Sequence, residues 1–395
     1  MKKIFKILAY ILGVLILVVV IAVAFVNFTF PKVKPAQNLT IDHSPDRVAR
    51  GAYLANHVTV CVDCHSERDF SLFSGPIQAG TLGSGGDKFD QSMGFPGVFY
   101  ARNITPFGIS DYTDGELYRL ITTGVTNDER VMFPLMPYPY YGKMDPEDIY
   151  DIIAYIRTLD PIENEIPESE ADFPVSIIMK TIPKDADPQS KPAKTDQVAY
   201  GKYLTNAASC VECHSPIDAQ GTILAGKEFS GGREFAFPDG SVVRSANITQ
   251  DNSGLGTWSE SMFVGKFKQY LDSGYHLPKV QPGEFNTIMP WVMYAGMEEG
   301  DLKAIYAYLK TIISSLMLLL FLTGQINLTL AAHYCGDELK STEVSIAPEK
   351  SDCCGEKMNQ DPDCCSDEYA SSDSDDYFGK TQSQVQISPE FVLAY

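Results

Sequence analysis

The sequence predicts an all-α protein built from two similar halves behind an N-terminal transmembrane helix. Three observations predict this class. An uncharged apolar run extends from Ile7 to Pro31. A short motif, "CVDCHS" at 61–66, recurs as "CVECHS" at 210–215. An apolar stripe with helical spacing closes each half. With 395 residues, the chain is long enough for two to three domains. We expect an anchor (1–30), two helical domains (45–160 and 198–313), a proline-rich linker (161–197) and a tail (314–395).

The N-terminal run is long enough to cross the hydrocarbon core of a bilayer. Lys2, Lys3 and Lys6 precede it, so the positive-inside rule sends everything after Pro31 across the membrane. The alternative is a cleaved signal peptide, because "AVA" at 22–24 is an acceptable cleavage site. Both interpretations predict a periplasmic location for the halves. The uncleaved anchor predicts a single-pass protein of the bacterial cytoplasmic membrane.

The charge of the chain excludes one class of partner. The formal net charge is -20, and the tail from 311 to 395 contributes -10 of it, from 14 acidic residues and 4 lysines. An acidic chain without a basic stripe does not bind nucleic acid, whose phosphates require Lys and Arg. Four of the nine cysteines lie in the two repeated motifs and five in the tail, which is not the pattern of a disulfide framework.

The repeated motif predicts covalent haem. A Cys-x-x-Cys pair alone fits a redox disulfide, half a zinc site or a haem attachment point, and a histidine directly after it selects haem c. Two thiols meet the two vinyl groups, and the imidazole on the same turn points at the iron. A zinc site would require four ligands, yet no other cysteine lies between 31 and 310. A thioredoxin-like βαβ pattern is missing. We predict two covalently bound haems c, held by Cys61, Cys64 and His65 and by Cys210, Cys213 and His214.

The repeat also predicts the second axial ligand of each iron. "NIT" at 103 recurs at 247, and "MPY" at 136 recurs as "MPW" at 289. In this alignment of the two copies, two methionines recur at equivalent positions: Met136 matches Met289, and Met144 matches Met297. Met136 and Met289 lie in proline-containing loops, where the following proline restricts the backbone. We predict that they are the ligands. His43, His57 and His276 are the other candidates, but none has a counterpart in the other copy.

The second methionine pair, Met144 and Met297, has a structural explanation. Asp145 is a predicted N-cap with Pro146 at the first helical position, so Met144 fits a hydrophobic staple and belongs to the core. A helix follows in each half, with an apolar stripe that we expect to pack on the helix carrying "GAYL" or "GKYL" before the haem motif. The stripes are Ile149, Ile152, Ile153, Ile156 and Leu159, and Leu302, Ile305, Tyr306, Leu309 and Ile312.

These motifs resemble a tandem of class I cytochrome c domains, similar to the membrane-anchored dihaem cytochromes c of bacteria. That group includes cytochrome subunits that accept electrons from periplasmic dehydrogenases. The resemblance covers 45–310 and implies an all-α fold per domain, haem c and one-electron transfer. It further implies that Asn103 and Asn247 lie near the haem edge and that Arg102 and Arg244 neutralise propionates; turn formation and solvated charge are the alternatives. Related dehydrogenase cytochromes often carry three haems, and only two motifs occur here.

The remaining segments differ in composition. The linker has six prolines between Pro161 and Pro192, and we expect its apolar middle, Phe173 to Ile182, to lie along a domain surface. The tail begins like a signal peptide and continues like a small exported Cys-rich bacterial protein, so we interpret it as a neighbouring sequence joined to this chain. We expect disorder there; the alternative is a soft-metal site formed by His333 and the five cysteines.

The sequence thus predicts an electron-transfer protein and not an enzyme. Its expected donors are a dehydrogenase or a quinol-oxidising complex, and its expected acceptors are a terminal oxidase or a soluble cytochrome. A permanent non-catalytic subunit of a larger complex differs from this only in how long the partners stay bound. The alternative is a dihaem peroxidase, which requires a releasable position on one iron. A methionine followed by proline in both copies disfavours that enzyme.

Overall fold

A computed structural model describes residues 2–237, 239–281 and 283–312, together with the backbone of three tail segments, 329–335, 338–345 and 365–371. The chain divides into two compact units, Met1–Ile313 and Ser314–Tyr395. Helices predominate in the first unit, as predicted. They are α1 (Lys2–Thr29), α2 (Pro45–Tyr53), α3 (Cys61–Cys64), α4 (Pro106–Ile109), α5 (Asp114–Thr123), α6 (Tyr138–Tyr141), α7 (Pro146–Ile156), α8 (Val175–Ile178), α9 (Gln197–Ala207), α10 (Cys210–Cys213), α11 (Glu260–Lys268), α12 (Trp291–Tyr294) and α13 (Glu299–Leu309).

Helix α1 is apolar along almost its whole length and is long enough to cross a membrane. Its 28 residues correspond to about 42 Å at the α-helical rise. Every described residue from 2 to 22 is exposed in this chain, so α1 has no protein partner over that stretch. Only its last two turns are partly covered. An apolar helix of this kind requires a lipid environment or removal as a signal sequence.

The two halves have the same helix packing. Helix α2 packs on α7 in the first half, and α9 packs on α13 in the second, which confirms the predicted role of the apolar stripes. A glycine lies at each crossing. A Cβ atom on Gly51 would lie 1.8 Å from the carbonyl oxygen of Asp151, and one on Gly201 would lie 1.8 Å from that of Ala304. The glycines of "GAYL" and "GKYL" therefore permit direct contact between helix backbones.

The helix starts agree with the sequence. The side chain of Asp145 accepts a hydrogen bond from Glu147 N, and Pro146 occupies the first position of α7. Met144 and Met297 are both fully buried in the core, at 1% and 2% exposure. The prediction that this methionine pair is core is confirmed. Thr113 and Glu116 form a capping box at α5, which fixes the entry to that helix.

A reciprocal pair of tyrosine contacts joins the halves. The hydroxyl of Tyr53 donates to Asp301 Oδ2 at 2.7 Å and accepts from the backbone N–H of Glu298 at 3.0 Å. The hydroxyl of Tyr203 donates to Asp148 Oδ2 at 2.7 Å and accepts from the backbone N–H of Asp145 at 3.2 Å. Each tyrosine belongs to the "GxYL" helix of one half and binds the start of the closing helix in the other. Such reciprocity is the property of an isologous interface, here within one chain.

Short strands, which the sequence did not predict, accompany the helices. Strands β1 (Lys88–Phe89), β2 (Gly97–Tyr100) and β3 (Glu170–Ala171) form one antiparallel sheet, and β4 (Glu234–Ala236) pairs with β5 (Val242–Arg244). Because β3 belongs to the predicted linker, the linker is hydrogen-bonded to the first half. It continues through α8 and a 3₁₀ turn, Met179–Thr181, both of which contact α1.

The tail contains a third antiparallel sheet in the order β7–β6–β8, formed by β6 (Thr329–Cys335), β7 (Glu338–Ser345) and β8 (Cys365–Ser371). These three strands lie within 314–395, the segment for which the sequence predicted disorder. Its remainder lies outside the described residues, as do Cys353, Cys354 and Cys364.

Candidate functional site

Both Cys-x-x-Cys segments form a single helical turn after a strained residue. Val60 has φ +45° and Ser209 has φ +52°, and each immediately precedes the first cysteine of its motif. A left-handed conformation is costly for a β-branched residue and occurs mainly where surrounding structure imposes it. It turns the chain sharply into α3 and α10. Within each turn the two cysteines are three residues apart, so they lie on the same face.

The histidine of each motif is held through one ring nitrogen. His65 Nδ1 lies 2.6 Å from the carbonyl oxygen of Arg102, and His214 Nδ1 lies 2.7 Å from that of Ala246. A carbonyl oxygen can only accept, so Nδ1 carries the proton and Nε2 carries the lone pair. Burial lowers the pKa of both imidazoles, although the carbonyl contact opposes this. Each histidine is therefore neutral and oriented, as a metal ligand requires.

The predicted asparagines fix the loop that supplies this carbonyl. Oδ1 of Asn103 accepts hydrogen bonds from the backbone N–H and the hydroxyl of Thr105, at 2.9 and 2.7 Å. Oδ1 of Asn247 accepts the same two bonds from Thr249, at 2.9 and 2.8 Å. Their Nδ2 atoms donate to Ile162 O and to Ser253 Oγ. The asparagines thus act as turn formers next to the histidine contact, and their approach to a haem edge stays a prediction.

Sequence reasoning missed the serine that ends each motif. The hydroxyl of Ser66 accepts a hydrogen bond from Gly83 N at 3.0 Å, and that of Ser215 accepts one from Phe229 N at 2.9 Å. Both serines are fully buried. They attach the motif to the loop that follows it. The signal was present, because the serine is part of the repeated hexapeptide.

A glycine in each half donates a hydrogen bond to the backbone carbonyl of the motif histidine. Gly85 N donates to His65 O at 2.9 Å, and Gly231 N donates to His214 O at 2.7 Å. A Cβ atom at either glycine would lie 2.5–2.6 Å from the backbone segment that also supplies the carbonyl for the ring. The histidine backbone and ring are thus held by two adjoining loop segments in both halves.

The methionine segments are tied to the motifs in the same way in both halves. Met136 and Met289 are half-buried, pack against the core and lie two residues before α6 and α12. The hydroxyl of Tyr141 donates to Thr59 O at 3.1 Å, and that of Tyr294 donates to Ala208 O at 3.2 Å. Each acceptor lies two residues before the first cysteine. The structure thus brings each methionine segment to its motif; iron ligation by Met136 and Met289 stays a prediction.

The four thiols are free and suited to haem attachment. Cys64 and Cys213 retain solvent-accessible surface. Burial nevertheless raises the pKa of Cys64 well above its usual range and that of Cys213 to about 11. In the described part of the chain no cluster of three His, Cys, Asp or Glu side chains is close enough to hold a metal ion. The zinc alternative thus has no support there, and the residues present fit haem c.

The other candidate histidines have different surroundings. His57 Nδ1 lies 2.9 Å from the carbonyl oxygen of Met293, in the opposite half. A Cβ atom on Gly296 would collide with this imidazole at 2.1 Å, so the ring is packed between the halves. His43 and His276 are exposed. These positions give no support to a bis-histidine site.

The two motif regions adjoin each other across the interface between the halves. Ser74, in the first half, donates to Met289 O at 2.6 Å. The hydroxyl of Tyr140, also in the first half, donates to Glu212 within the second motif. Burial is the main cause of the raised pKa of Cys64, but Cys213 also raises it. The two hydrogen bonds connect the first half to the methionine segment and to the Cys-x-x-Cys turn of the second half.

The predicted propionate partners make contacts within the protein. Arg102 donates to the carbonyl oxygens of Ile166 and Pro167 and pairs with Glu168. Arg244 pairs with Glu234 across strands β4 and β5. Their role toward haem propionates stays a prediction.

The chain is similar to several proteins of known function. It is 29% identical to the fructose dehydrogenase cytochrome subunit of Gluconobacter japonicus over 293 residues, which are 68% of this chain and 53% of that subunit. It is 27% identical to the gluconate 2-dehydrogenase cytochrome c subunit of Pantoea cypripedii, over 67% of this chain and 59% of that subunit. A "diheme cytochrome c-type" protein of Cereibacter sphaeroides is 26% identical, over 64% of this chain and 81% of that protein.

Its homologues are dehydrogenase cytochrome subunits and a dihaem cytochrome c. These dehydrogenase subunits transfer electrons and are not themselves the catalytic enzymes. Cytochrome c relatives imply haem c as the cofactor. The chain spans between half and three fifths of the length of the first curated relatives that it matches. A separate match covers 309–395, to a family of unknown function (DUF8199).

Proposed function

We propose that this chain is a membrane-tethered dihaem c-type cytochrome that passes single electrons between a dehydrogenase and a downstream acceptor. In this proposal, two tandem class I cytochrome c domains occupy 45–160 and 198–313. Each holds one haem c through its two cysteines. The ligands of the first iron are His65 and Met136, and those of the second are His214 and Met289. When bound, haem supplies the one-electron redox chemistry.

The observation that carries this proposal is the twofold occurrence of one arrangement. In each half, two free thiols lie on one helical face beside a histidine whose Nδ1 contacts a backbone carbonyl. The residues of the protein thus attach the haem, orient its histidine ligand and shield the site from water. The cysteines fix the position of the cofactor, the carbonyl keeps Nε2 of the histidine free for iron, and the buried helix pairs exclude water. None of these residues has to transfer a proton.

The interface between the halves supports electron transfer within the molecule. The tyrosine pair formed by Tyr53 and Tyr203 and the contact from Ser74 to Met289 O hold the halves in one arrangement. Tunnelling rates fall steeply with distance, so a fixed short separation favours rapid transfer between two centres. The contacts between the two motif regions support such an arrangement. An electron accepted at one centre can then leave from the other.

The partners and location follow from the relatives and from α1. A dehydrogenase is the expected donor, since the relatives are subunits of dehydrogenases. A quinol-oxidising complex is a further expected donor, and a terminal oxidase or a soluble cytochrome is the expected acceptor. Helix α1 is apolar enough to anchor the chain in the cytoplasmic membrane, with the haem domains on the periplasmic side. The names of the relatives give the peroxidase alternative no support.

The tail is a separate module in this proposal. It forms its own compact unit, and the family match begins at 309, where helix α13 ends. We propose that a small exported protein sequence has been joined to the cytochrome part. Mass spectrometry of the mature protein tests this. Loss of 311–395 during maturation supports it, and a stable full-length product counts against it.

A potentiometric titration of the purified protein tests the proposed function. We expect two one-electron transitions and rapid reduction by a periplasmic dehydrogenase. Replacing His65 by Ala should remove or shift one transition, and replacing His214 by Ala should affect the other. Fast turnover of hydrogen peroxide by the reduced protein would instead favour the peroxidase. A protein that titrates with two electrons in one step, or with none, would contradict the proposal.

A further inference from the structure

The linker between the halves carries an exposed apolar segment that the electron-transfer function does not use. Phe173 is 77% exposed and Ile178 is 55% exposed, at either end of helix α8. Monomeric soluble surfaces leave single apolar side chains exposed, but not usually several together. The location of this segment identifies what covers it.

Helix α8 and the 3₁₀ turn after it pack on the last two turns of α1. Val23, Ala24 and Val26 are half-buried there, whereas all described residues before them in α1 are exposed. Lys180 Nζ donates to Asn27 Oδ1 at the same place. The segment thus contacts the end of α1 through apolar packing and one side-chain hydrogen bond.

The length of α1 determines the depth of this contact. A hydrocarbon core of about 30 Å requires about 20 residues at a rise of about 1.5 Å per residue. Counted from Ile7, the first residue after the last lysine, this stretch ends at about Val26. Helix α8 packs on the end of α1, near Val26, so a bilayer spanned by α1 in this way would have its boundary between hydrocarbon and headgroups beside α8. Phe28, at 92% exposure, lies at the same level.

The charge of the surrounding segments agrees with a lipid surface. The chain as a whole has a net charge of -20. From Phe173 to Lys184, however, it contains two lysines and no acidic residue, and the same holds from Asn27 to Thr40. Lys32 and Lys184 are exposed. Asp185, which pairs with Lys34, is the first acid after the linker segment. Lys180 and Lys184 follow the two apolar side chains, whereas the exposed Asp172 directly precedes Phe173. Apolar side chains with lysines on one side are compatible with a segment lying in the headgroup region.

We propose that Phe173–Lys184 is a membrane-interface segment that inserts Phe173 and Ile178 into the headgroup region beside the end of α1. It seats the first haem domain on the bilayer as a rigid body, because β3 attaches the same linker to β2. A single spanning helix alone would let the domain tumble. The second contact restricts the orientation in which the domains meet a membrane-bound partner. This inference rests on the proposed anchoring by α1.

Site-specific photocrosslinking in membranes tests the proposal with the full-length haem-loaded protein. The photoreactive residue p-benzoylphenylalanine replaces, one at a time, Phe173, Ile178, Phe28 and Phe285. Phe28 is the positive control for anchoring. Phe285 is the matched surface control, since it is 69% exposed and contacts Phe73 in the first unit. After illumination, mass spectrometry scores phospholipid adducts on each peptide, and haem absorbance verifies folding.

We expect phospholipid adducts at 173, 178 and 28, at least tenfold above those at 285. Adducts at 28 without adducts at 173 and 178 would overturn the interface segment and leave the anchor intact. Adducts at 173 and 178 without those at 28 would refute the anchoring by α1, and the inference that rests on it would be overturned as well. Equal yields at 173 and 285, crosslinks to protein instead of lipid at 173, or no adducts at all would overturn the proposal.

Discussion

Replacement of Tyr203 by Phe tests the reciprocal interface between the halves. The hydroxyl of Tyr203 donates to Asp148 at 2.7 Å and accepts from Asp145 N at 3.2 Å. Asp148 has no exposed surface and keeps Lys191 at 2.6 Å and Arg50 at 3.4 Å after the change. Burial alone would raise the pKa of Asp148, but these two cations and the tyrosine together lower it. The carboxylate thus stays ionised and loses one of its donors.

The expected cost follows from the charge and burial of the acceptor. A hydrogen bond to a charged group contributes about 1.5–3 kcal/mol, and the lost hydroxyl also leaves Asp145 N without this partner. We expect roughly 2 kcal/mol of destabilisation for Tyr203→Phe. For the first unit, Met1–Ile313, at about 2.1 cal/mol/K of unfolding entropy per residue, that corresponds to a fall in the unfolding midpoint of roughly 3 °C. Tyr53→Phe removes the equivalent bond to Asp301 and should have a similar effect.

The assay is thermal unfolding followed by circular dichroism at constant haem content. Tyr155→Phe is the matched control, because its hydroxyl accepts from Asn56 at 2.9 Å within one half. That change should cost less than about 1 kcal/mol. A Tyr203→Phe midpoint within about 1 °C of the wild type would refute the expected contribution of this hydrogen bond to the interface. If Tyr155→Phe lowered the unfolding midpoint as much as Tyr203→Phe does, the effect of Tyr203→Phe could not be assigned to the interface.

Three further predictions concern the ligands, a helix crossing and pH. Met136→His and Met289→His should each remove about half of the sulfur-to-iron charge-transfer absorbance of the oxidised protein, while the buried control Met144→Leu retains it. Unchanged absorbance in both ligand variants would contradict the assignment. Gly51→Ala should destabilise the protein by about 1–3 kcal/mol or more in urea unfolding, because the new Cβ meets Asp151 O at 1.8 Å. Gly300→Ala, where nothing lies within 4 Å, should be nearly neutral. Burial raises the pKa of Asp151 to about 6, with Arg47 opposing. The fold therefore favours the protonated acid, and the free energy of unfolding should fall by on the order of 1–3 kcal/mol as the pH rises from about 4 to about 6. Urea unfolding of Asp151→Asn should lack that slope, and an unchanged slope would exclude Asp151 as its source.

The repeat in the sequence was sufficient to predict the main features of both halves. Internal comparison identified the helix carrying "GxYL", the closing helix and the core role of Met144, because hydrophobic periodicity and capping are local properties. The two histidines and four cysteines were equally visible. Each of these features depends on residues close together in the chain.

Contacts between distant residues could not be predicted in the same way. The carbonyl partners of His65 and His214 come from backbone 32–37 residues away, and backbone atoms leave no residue type to recognise. The contacts that Tyr53 and Tyr203 each make with the opposite half depend on how the two repeats pack together. Hydrophobic periodicity gives no information about that packing. The short strands depend on pairing across long loops. The buried serines, by contrast, were visible as part of the repeat and were overlooked.

The central claim is that two haems are covalently attached, one at each Cys-x-x-Cys-His motif. Intact mass spectrometry of the purified exported protein, combined with a haem assay, tests it most directly. We predict a mass increase of two haem groups per chain, reduced to one by Cys61→Ser with Cys64→Ser and likewise by Cys210→Ser with Cys213→Ser. A colourless protein, or one that carries a single haem before any substitution, would contradict the account.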